Sequence, residues 1–321
     1  MLDCLLIVAQ QVGILFALMA VGFACNRTKL LSEPVVRGMV DLLMFVVTPC
    51  LIVHAFERPF EPHLLAGLGW ALGAALGAHA LGILASFCVR DKDKRRQCVL
   101  RFAVIFSNAG FMGIPLEYAL LGNDGVFYGA VYVVVFNLVC WSYGLVVMAG
   151  SLKDVRVRTL FVNPGSIGIA CGLPFFLFSC RLPAVLDEPL RMIADLNTPV
   201  AMIVIGWYLA AASFRPALAC GGAYLAGLLR LGVIPCAVLG ALWLCRPLEP
   251  AMAVATVVAA SAPVAALTTM FAARYERDVA VSVGLVSLTT HISILTMPPL
   301  VGFALWLFRW GGPLILCSDR D

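Results

Sequence analysis

One stretch of the sequence places polar side chains beside residues that interrupt helices. It reads Ser107-Asn108-Ala109-Gly110-Phe111-Met112-Gly113-Ile114-Pro115 and lies in an apolar region. Gly110, Gly113 and Pro115 predict a break in a helix, which inside a membrane leaves backbone N–H groups free. The N–H groups that begin a half-helix carry partial positive charge and favour an anion. The amide of Asn108 and the hydroxyl of Ser107 add hydrogen-bond donors.

A second stretch, Ala260-Ser261-Ala262-Pro263, has the same character and follows the first by 154 residues. This offset also relates Asn137 to His291, and both halves carry a Thr-Pro pair, Thr48-Pro49 and Thr198-Pro199. Packing for His291, and bonding of the threonines to carbonyls freed by the prolines, remain alternatives to ligand contact. The predicted substrate-binding residues are Asn108, Ser107, Gly110, Gly113, Pro115, Ser261, Pro263, Asn137, His291, Thr48 and Thr198.

Three acidic residues fall within or at the edges of apolar segments and are candidates for binding a coupling ion, a proton or Na⁺. They are Asp195, Glu117 and Asp41. An acidic residue near the centre of a membrane helix costs roughly 2.5–3.5 kcal/mol on insertion scales, so such a residue usually has a function. The structural alternative is an interfacial carboxylate, or one paired with a nearby arginine.

The composition indicates the elements that must hold these residues. Hydrophobic residues make up 62% of the 321-residue chain and charged residues only 12%, about half the charged fraction that is usual for a soluble domain. The charges cluster between apolar runs that are long enough to cross a bilayer. Ten transmembrane helices are predicted, at about 4–25, 36–56, 64–87, 99–121, 126–149, 164–180, 190–212, 222–244, 250–272 and 279–307.

Two details of these spans are open to test. The eighth contains Arg230 near its middle, so it could instead begin near Arg230 after an interfacial stretch. In the third span, Gly69, Gly73 and Gly77 form a small-residue ridge that predicts a close helix contact.

The order of features predicts two inverted halves. Residues 1–150 form the first five-helix repeat, 151–163 a short cytoplasmic connector and 164–321 the second repeat, all in one membrane domain. Five spans per half make the halves inverted, a common plan for secondary transporters. Fifteen of the 22 Lys and Arg residues lie on one side, which puts both termini on the non-cytoplasmic side of the plasma membrane, the bacterial inner membrane.

These residues resemble the auxin efflux carrier family. The resemblance is carried by Ser107–Leu116, Gly122, Gly125, Asn137, Trp141, Thr198-Pro199, Gly206, Leu209, Ala262-Pro263-Val264, Tyr275 and Asp278. It spans essentially the whole chain and is closest to the short bacterial type, since only fourteen residues run from Gly150 to Asn163. It implies ten helices in two inverted repeats, with the broken helices 4 and 9 crossing at the substrate site. It also implies transport of auxin-like or malate- and malonate-like acids.

We therefore predict a secondary transporter of a small organic anion that works by alternating access, with a non-transporting membrane receptor or scaffold as the alternative. An enzyme is disfavoured because the four histidines are scattered and no H-E-x-x-H, D-x-D or G-x-S-x-G motif occurs. The twelve cysteines contain no C-x-x-C pair, so no metal is expected, and no cofactor or nucleic acid either. The lipid bilayer is the expected surrounding, and a homodimer is left open.

Overall fold

The structure, a computed structural model, describes residues 2–150, 164–245 and 249–308. The predicted connector 151–163 lies outside these ranges. Within them the chain is all-helical and has no strands. Seven helices in the described residues are long and apolar enough to cross a membrane, and three further apolar helices are shorter. The chain is thus a multi-pass, all-helical membrane protein.

Thirteen helices are numbered in chain order. The first six are α1 (Leu2–Arg27), α2 (Glu33–Phe56), α3 (Pro62–Ser86), α4 (Lys94–Ile105), α5 (Ala109–Leu121) and α6 (Asn123–Ala149). The others are α7 (Pro164–Leu177), α8 (Ala184–Ala211, with a turn at 195–196), α9 (Arg215–Leu218), α10 (Gly221–Cys245), α11 (Pro250–Ser261), α12 (Leu267–Arg274) and α13 (Val279–Leu307).

The seven long helices coincide with predicted spans one, two, three, five, seven, eight and ten. Predicted span six corresponds to the shorter α7. Spans four and nine are each divided into two half-length helices, α4 with α5 and α11 with α12. The eighth span, α10, continues through Arg230, which lies in a π-helical turn at Leu229–Val233. The alternative start near Arg230 is therefore wrong.

Two groups of helices pack around the divided ones. Helix α1 packs along α8, and α2 packs on α7 and α8. Helix α6 lies against α3, α5 and α11, while α11 also contacts α10 and α13. Every residue of α11 from Ala251 to Ser261 is buried. Its alanines and valines allow neighbouring helices to approach from all sides, which makes α11 the centre of the core.

Both divided spans break into extended backbone. Helix α4 ends at Ile105, and Phe106 has φ −104° and ψ 114°. Helix α11 ends at Ser261, and Ala262 has φ −60° and ψ 147°. Pro263 explains the second break, because proline lacks an N–H and disfavours helical geometry at the preceding residue.

The first break lies upstream of the glycines that predicted it. Gly110, Gly113 and Pro115 belong to α5, which begins with a π-helical turn at Ala109–Gly113. Asn108 O accepts hydrogen bonds from both Met112 N (3.0 Å) and Gly113 N (3.1 Å). The wider turn shifts the hydrogen-bond register just before Pro115, which has no N–H to continue it. The predicted position of the break within 110–115 was therefore wrong by a few residues.

The two breaks hydrogen-bond to each other. Asn108 N donates to Pro263 O at 2.7 Å and Ala265 N donates to Phe106 O at 3.0 Å, an isolated antiparallel bridge between Ser107 and Val264. Val264 N donates to Thr289 Oγ1 of α13 at 3.2 Å. In a membrane, free backbone groups need such partners. The pairing therefore holds the four half-helices at one point.

Two glycines allow the backbones of α1 and α8 to lie in close contact. A Cβ on Gly206 would overlap the carbonyl oxygen of Met19, and one on Gly22 would overlap that of Ile203. In contrast, a Cβ on Gly69, Gly73 or Gly77 would meet nothing within 4 Å, so the predicted contact at that ridge was wrong.

We expect Gly206→Ala to destabilise the protein by about 1–3 kcal/mol, because a methyl group at this crossing forces the two backbones apart. The measurement is thermal unfolding of purified protein in detergent. Gly73→Ala is the matched control, and it should leave the unfolding temperature unchanged or slightly higher. Equal destabilisation by both substitutions would contradict the described packing of α1 on α8.

Candidate functional site

A cavity of about 90 Å³ lies where the two breaks meet. Its polar lining comes from Thr48, Ser107, Asn108 and Asn137, four of the residues predicted to bind substrate, and Gly110 also lines it. The apolar lining comes from Met44, Phe111, Val133, Phe136 and Leu267, and Gly165, Ala265 and Ala266 complete the wall. A mostly apolar cavity with a few polar groups is typical of a small-molecule site.

Ser107 and Asn108 belong to the extended segment between α4 and α5. Asn108 is 6% exposed and its backbone is held by Pro263, while its side-chain amide has no hydrogen-bond partner in the described part of the chain. The Ser107 hydroxyl is also buried, with the Tyr132 side chain as its polar neighbour. A buried polar group normally has a partner. These two donors are therefore available to a bound solute.

The starts of two half-helices reach the same cavity. Helix α5 begins at Ala109 and α12 at Leu267, and Gly110, Phe111, Ala266 and Leu267 line the cavity. The first N–H groups of a helix have no acceptor within the helix and carry partial positive charge. Both half-helices thus contribute a positive end to the cavity.

The ends of the other two half-helices are capped by Arg230. This side chain is 1% exposed, and Nη1 donates to Val104 O at 3.1 Å and Ile105 O at 3.2 Å. Nη2 donates to Ala260 O near the end of α11. No carboxylate pairs with Arg230 within residues 2–150, 164–245 and 249–308. The guanidinium is instead stabilised by the negative carbonyl ends of α4 and α11.

Thr48 connects the cavity to a residue that the sequence analysis left out. Its hydroxyl donates to Asn197 Oδ1 at 3.3 Å, joining α2 to α8. Asn197 is 3% exposed, and its Nδ2 has no partner among the described residues. Asn137 Nδ2 donates to Val133 O at 2.9 Å, one turn back on α6. Asn197 adjoins the Thr198-Pro199 pair, so its position was a signal that could have been used.

The remaining predicted substrate residues do not line the cavity. Ser261 donates to Val258 O at 3.0 Å, and Pro263 contributes its carbonyl to the paired breaks. His291 is exposed, with its ring edge-on to Phe214 at 5.0 Å and its Nδ1 at 2.9 Å from Ser287 O. Thr198 begins the second part of α8 beside Asn197, and Gly113 and Pro115 are buried within α5. On α13 it is Thr289, rather than His291, that contacts the paired breaks.

The three acidic candidates lie in different surroundings. Asp195 is exposed and accepts a hydrogen bond from the Tyr118 hydroxyl at 3.1 Å. Asp41 is also exposed, on α2. Glu117, on α5, is 1% exposed, and neither of its carboxylate oxygens has a partner in the described ranges. Of the three, Glu117 is thus the one withdrawn from solvent.

Three described residues could contribute ligands to a metal ion, a group that the sequence analysis did not anticipate. One ligand atom each from His54, Glu57 and Asp187 lies within 4.8 Å of the others. His54 Nδ1 is 3.3 Å from Asp187 Oδ1, and Glu57 Oε1 accepts a hydrogen bond from Leu182 N. His54 and Asp187 are close enough to pair with each other directly, without a metal between them. None of these residues lines the cavity.

Comparison with known proteins identifies the family of the chain. A family model described as "Membrane transport protein" matches residues 7–301. No curated protein matches the chain. The family match covers nearly the whole chain and includes both breaks, the cavity and Arg230. The chain therefore belongs to the auxin efflux carrier family of membrane transport proteins and is not an enzyme.

Proposed function

We propose that this protein is a secondary transporter of a small organic anion, a carboxylate of the malate- and malonate-like or auxin-like kind. The observation that carries the proposal is the cavity at the paired breaks, where Ser107, Asn108 and two half-helix starts converge. A carboxylate needs several hydrogen-bond donors when it leaves water. This cavity offers them without a lysine.

The charge balance at the crossing supports an anion rather than a cation. Four half-helices end there, so two positive and two negative ends would nearly cancel. Each carbonyl end is equivalent to roughly −0.5 elementary charge, so two of them together match the single positive charge of Arg230. Arg230 lies on these ends, at Val104, Ile105 and Ala260. The N–H ends on the cavity side are thus left uncompensated.

The transport mechanism that we propose is alternating access between two inverted five-helix repeats. The repeats comprise residues 1–150 and 164–321, with ten spans in total. Support comes from the matching division of spans four and nine and from the antiparallel pairing of their breaks. Rocking of the α1, α2, α7 and α8 group against the rest would expose the fixed site to each side in turn.

Several further properties belong to the same proposal. A proton or Na⁺ drives transport, with Asp195, Glu117 and Asp41 as candidate binding residues. The protein lies in the bacterial inner membrane with both termini on the non-cytoplasmic side, because Lys and Arg concentrate on the opposite side. A homodimer is compatible with the exposed apolar faces, which lipid can also cover.

The alternative is a receptor or scaffold that binds the anion without moving it. Binding alone does not separate the two functions, but flux across a sealed membrane does. A thermal-shift screen of purified protein against malate, malonate and an indole carboxylate, with and without Na⁺ and at two pH values, would identify the ligand class. A ligand that binds only the folded state raises the unfolding temperature.

We expect Asn108→Ala to abolish most transport in proteoliposomes. The lost hydrogen bond to a charged ligand is worth about 1.5–3 kcal/mol, or roughly a 10- to 150-fold loss in apparent affinity. Asn26→Ala, at the end of α1 and away from the cavity, is the control and should transport normally. Wild-type transport by the Asn108→Ala protein would show that the substrate binds elsewhere.

Arg230 can be tested by separating its charge from its hydrogen bonds. Arg230→Gln keeps N–H donors for the carbonyl ends but removes the charge, whereas Arg230→Lys keeps the charge. We expect Gln to raise the KM for the anion on the order of tenfold and Lys to raise it much less. Near-equal KM values for the two variants, measured on protein with matched unfolding temperatures, would assign Arg230 a structural role only.

A further inference from the structure

A carboxyl group is enclosed among helices α5, α6 and α11. The Glu117 side chain has both oxygens shielded from solvent and without a hydrogen-bond partner among the described residues. Membrane-embedded acidic residues nearly always pair with another group or face water. The isolation of Glu117 therefore calls for a functional explanation.

Glycines make room for this carboxyl group. A Cβ on Gly129 of α6 would overlap Glu117 Oε2, and a Cβ on Gly113 would lie 3.6 Å from Oε1. The same Cβ on Gly113 would lie 3.6 Å from the Cα of Ala259 on α11. Gly125 packs against the backbone carbonyl of Glu117. The site is thus a small enclosed space, bounded by three helices, that fits a carboxyl group and little else.

Among the described residues, no ion pair or hydrogen bond from the elements packed on α5 compensates Glu117, and the part of α8 that packs there, Asn197–Ala211, contains no charged residue. Helix α11 contains no titratable residue, and on α6 the Asp124 carboxylate pairs with Arg58 at 2.6 Å. Tyr132 of α6 is the titratable group within electrostatic reach of Glu117. Tyr118 is directed to Asp195, and the titratable residues of α1 lie near its ends. An isolated carboxylate ion here would cost several kcal/mol, so these surroundings favour the neutral, protonated form of Glu117.

The location of Glu117 links its proton to the anion site. Asn108 directly precedes α5 and Glu117 lies within it, nine residues further on, which is about 13 Å along a helix axis. Helix α5 begins at the first of the paired breaks, and helix α11 ends at the second. Loss of the proton from Glu117 would draw water between helices α5 and α11. Binding of the anion and of the proton must then affect each other by the same free energy.

We propose that Glu117 is the proton-binding site that couples anion transport to a proton gradient. The carboxylate takes up one proton from one side of the membrane to form the neutral acid that this enclosed space favours, and releases one proton when the other conformation hydrates it. The inference rests on the proposed function and favours Glu117 over the exposed Asp195 and Asp41.

The protonation state can be tested without knowing the substrate. The infrared spectrum of the full-length wild-type protein in lipid is recorded at neutral pH, and the spectrum of each variant is subtracted from it. The wild-type spectrum should contain the C=O stretch of a protonated carboxylic acid. This band should disappear in Glu117→Gln, which is nearly isosteric with the neutral acid, and persist in the control Glu33→Gln, a surface residue paired with Arg37. A wild-type spectrum in which Glu117→Gln removes no such band would overturn the inference.

The coupling is tested in proteoliposomes with radiolabelled malonate and malate. Glu117→Gln should retain exchange of internal for external label within about twofold of the wild type, and lose at least about 90% of the accumulation driven by an imposed pH gradient. Undiminished gradient-driven accumulation would overturn the proposal. Absence of both exchange and accumulation in the wild type would contradict the proposed function for these acids, whereas the infrared result would still decide the state of Glu117.

Discussion

Two extended segments in the middle of a helical membrane protein hydrogen-bond to each other, and the site depends on that pairing. Asn108 N reaches Pro263 O and Ala265 N reaches Phe106 O, so the breaks in two different spans satisfy each other. In hydrocarbon, an unpaired break would cost several kcal/mol per exposed group. The pairing offsets the free-energy cost of the unpaired backbone groups and brings four helix ends to one place. The helix starts that remain, at Ala109 and Leu267, face a cavity instead of lipid.

Two of the ionisable side chains buried in the described core, Arg230 and Glu117, avoid the cost of burying a charge in opposite ways. Arg230 is stabilised by the negative carbonyl ends of two half-helices. Glu117 has no such partner, and the cost is avoided if it keeps a proton. Both lie on helices that meet at the crossing or pack against it, so a change in either charge is felt at the anion site.

The sequence was sufficient to predict the membrane class, the seven long helices and the division of spans four and nine. It also placed Thr48, Ser107, Asn108, Gly110 and Asn137 in one predicted site, three of them from the predicted break, Asn137 from the 154-residue offset and Thr48 from the repeated Thr-Pro pair. The break lies at residues 106–108 rather than at Gly110, because a π-helical turn at Ala109–Gly113 allows α5 to continue through Pro115. Glycine content does not specify such a change of register.

Other features depended on three-dimensional packing that no local pattern encodes. Arg230 suggested a helix end in the sequence, yet it lies in mid-helix because its partners come from Val104, Ile105 and Ala260. The glycine ridge in α3 predicted a contact that Gly22 and Gly206 make instead. Thr289 and Asn197 form hydrogen bonds with residues more than 20 positions away in the sequence, and the two breaks are also distant from each other in the sequence. Long-range partners of this kind follow from the fold and not from spacing.

The proposed transport mechanism requires the anion to bind at the paired breaks. Crystals grown with a brominated carboxylate, and measured at the bromine absorption edge, would locate the ligand directly. We predict one anomalous peak in the cavity bounded by Asn108, Phe136 and Leu267, with the carboxyl group toward Asn108 and the start of α5. A peak outside this cavity, at a site where Asn108→Ala leaves ligand binding unchanged, would contradict the account.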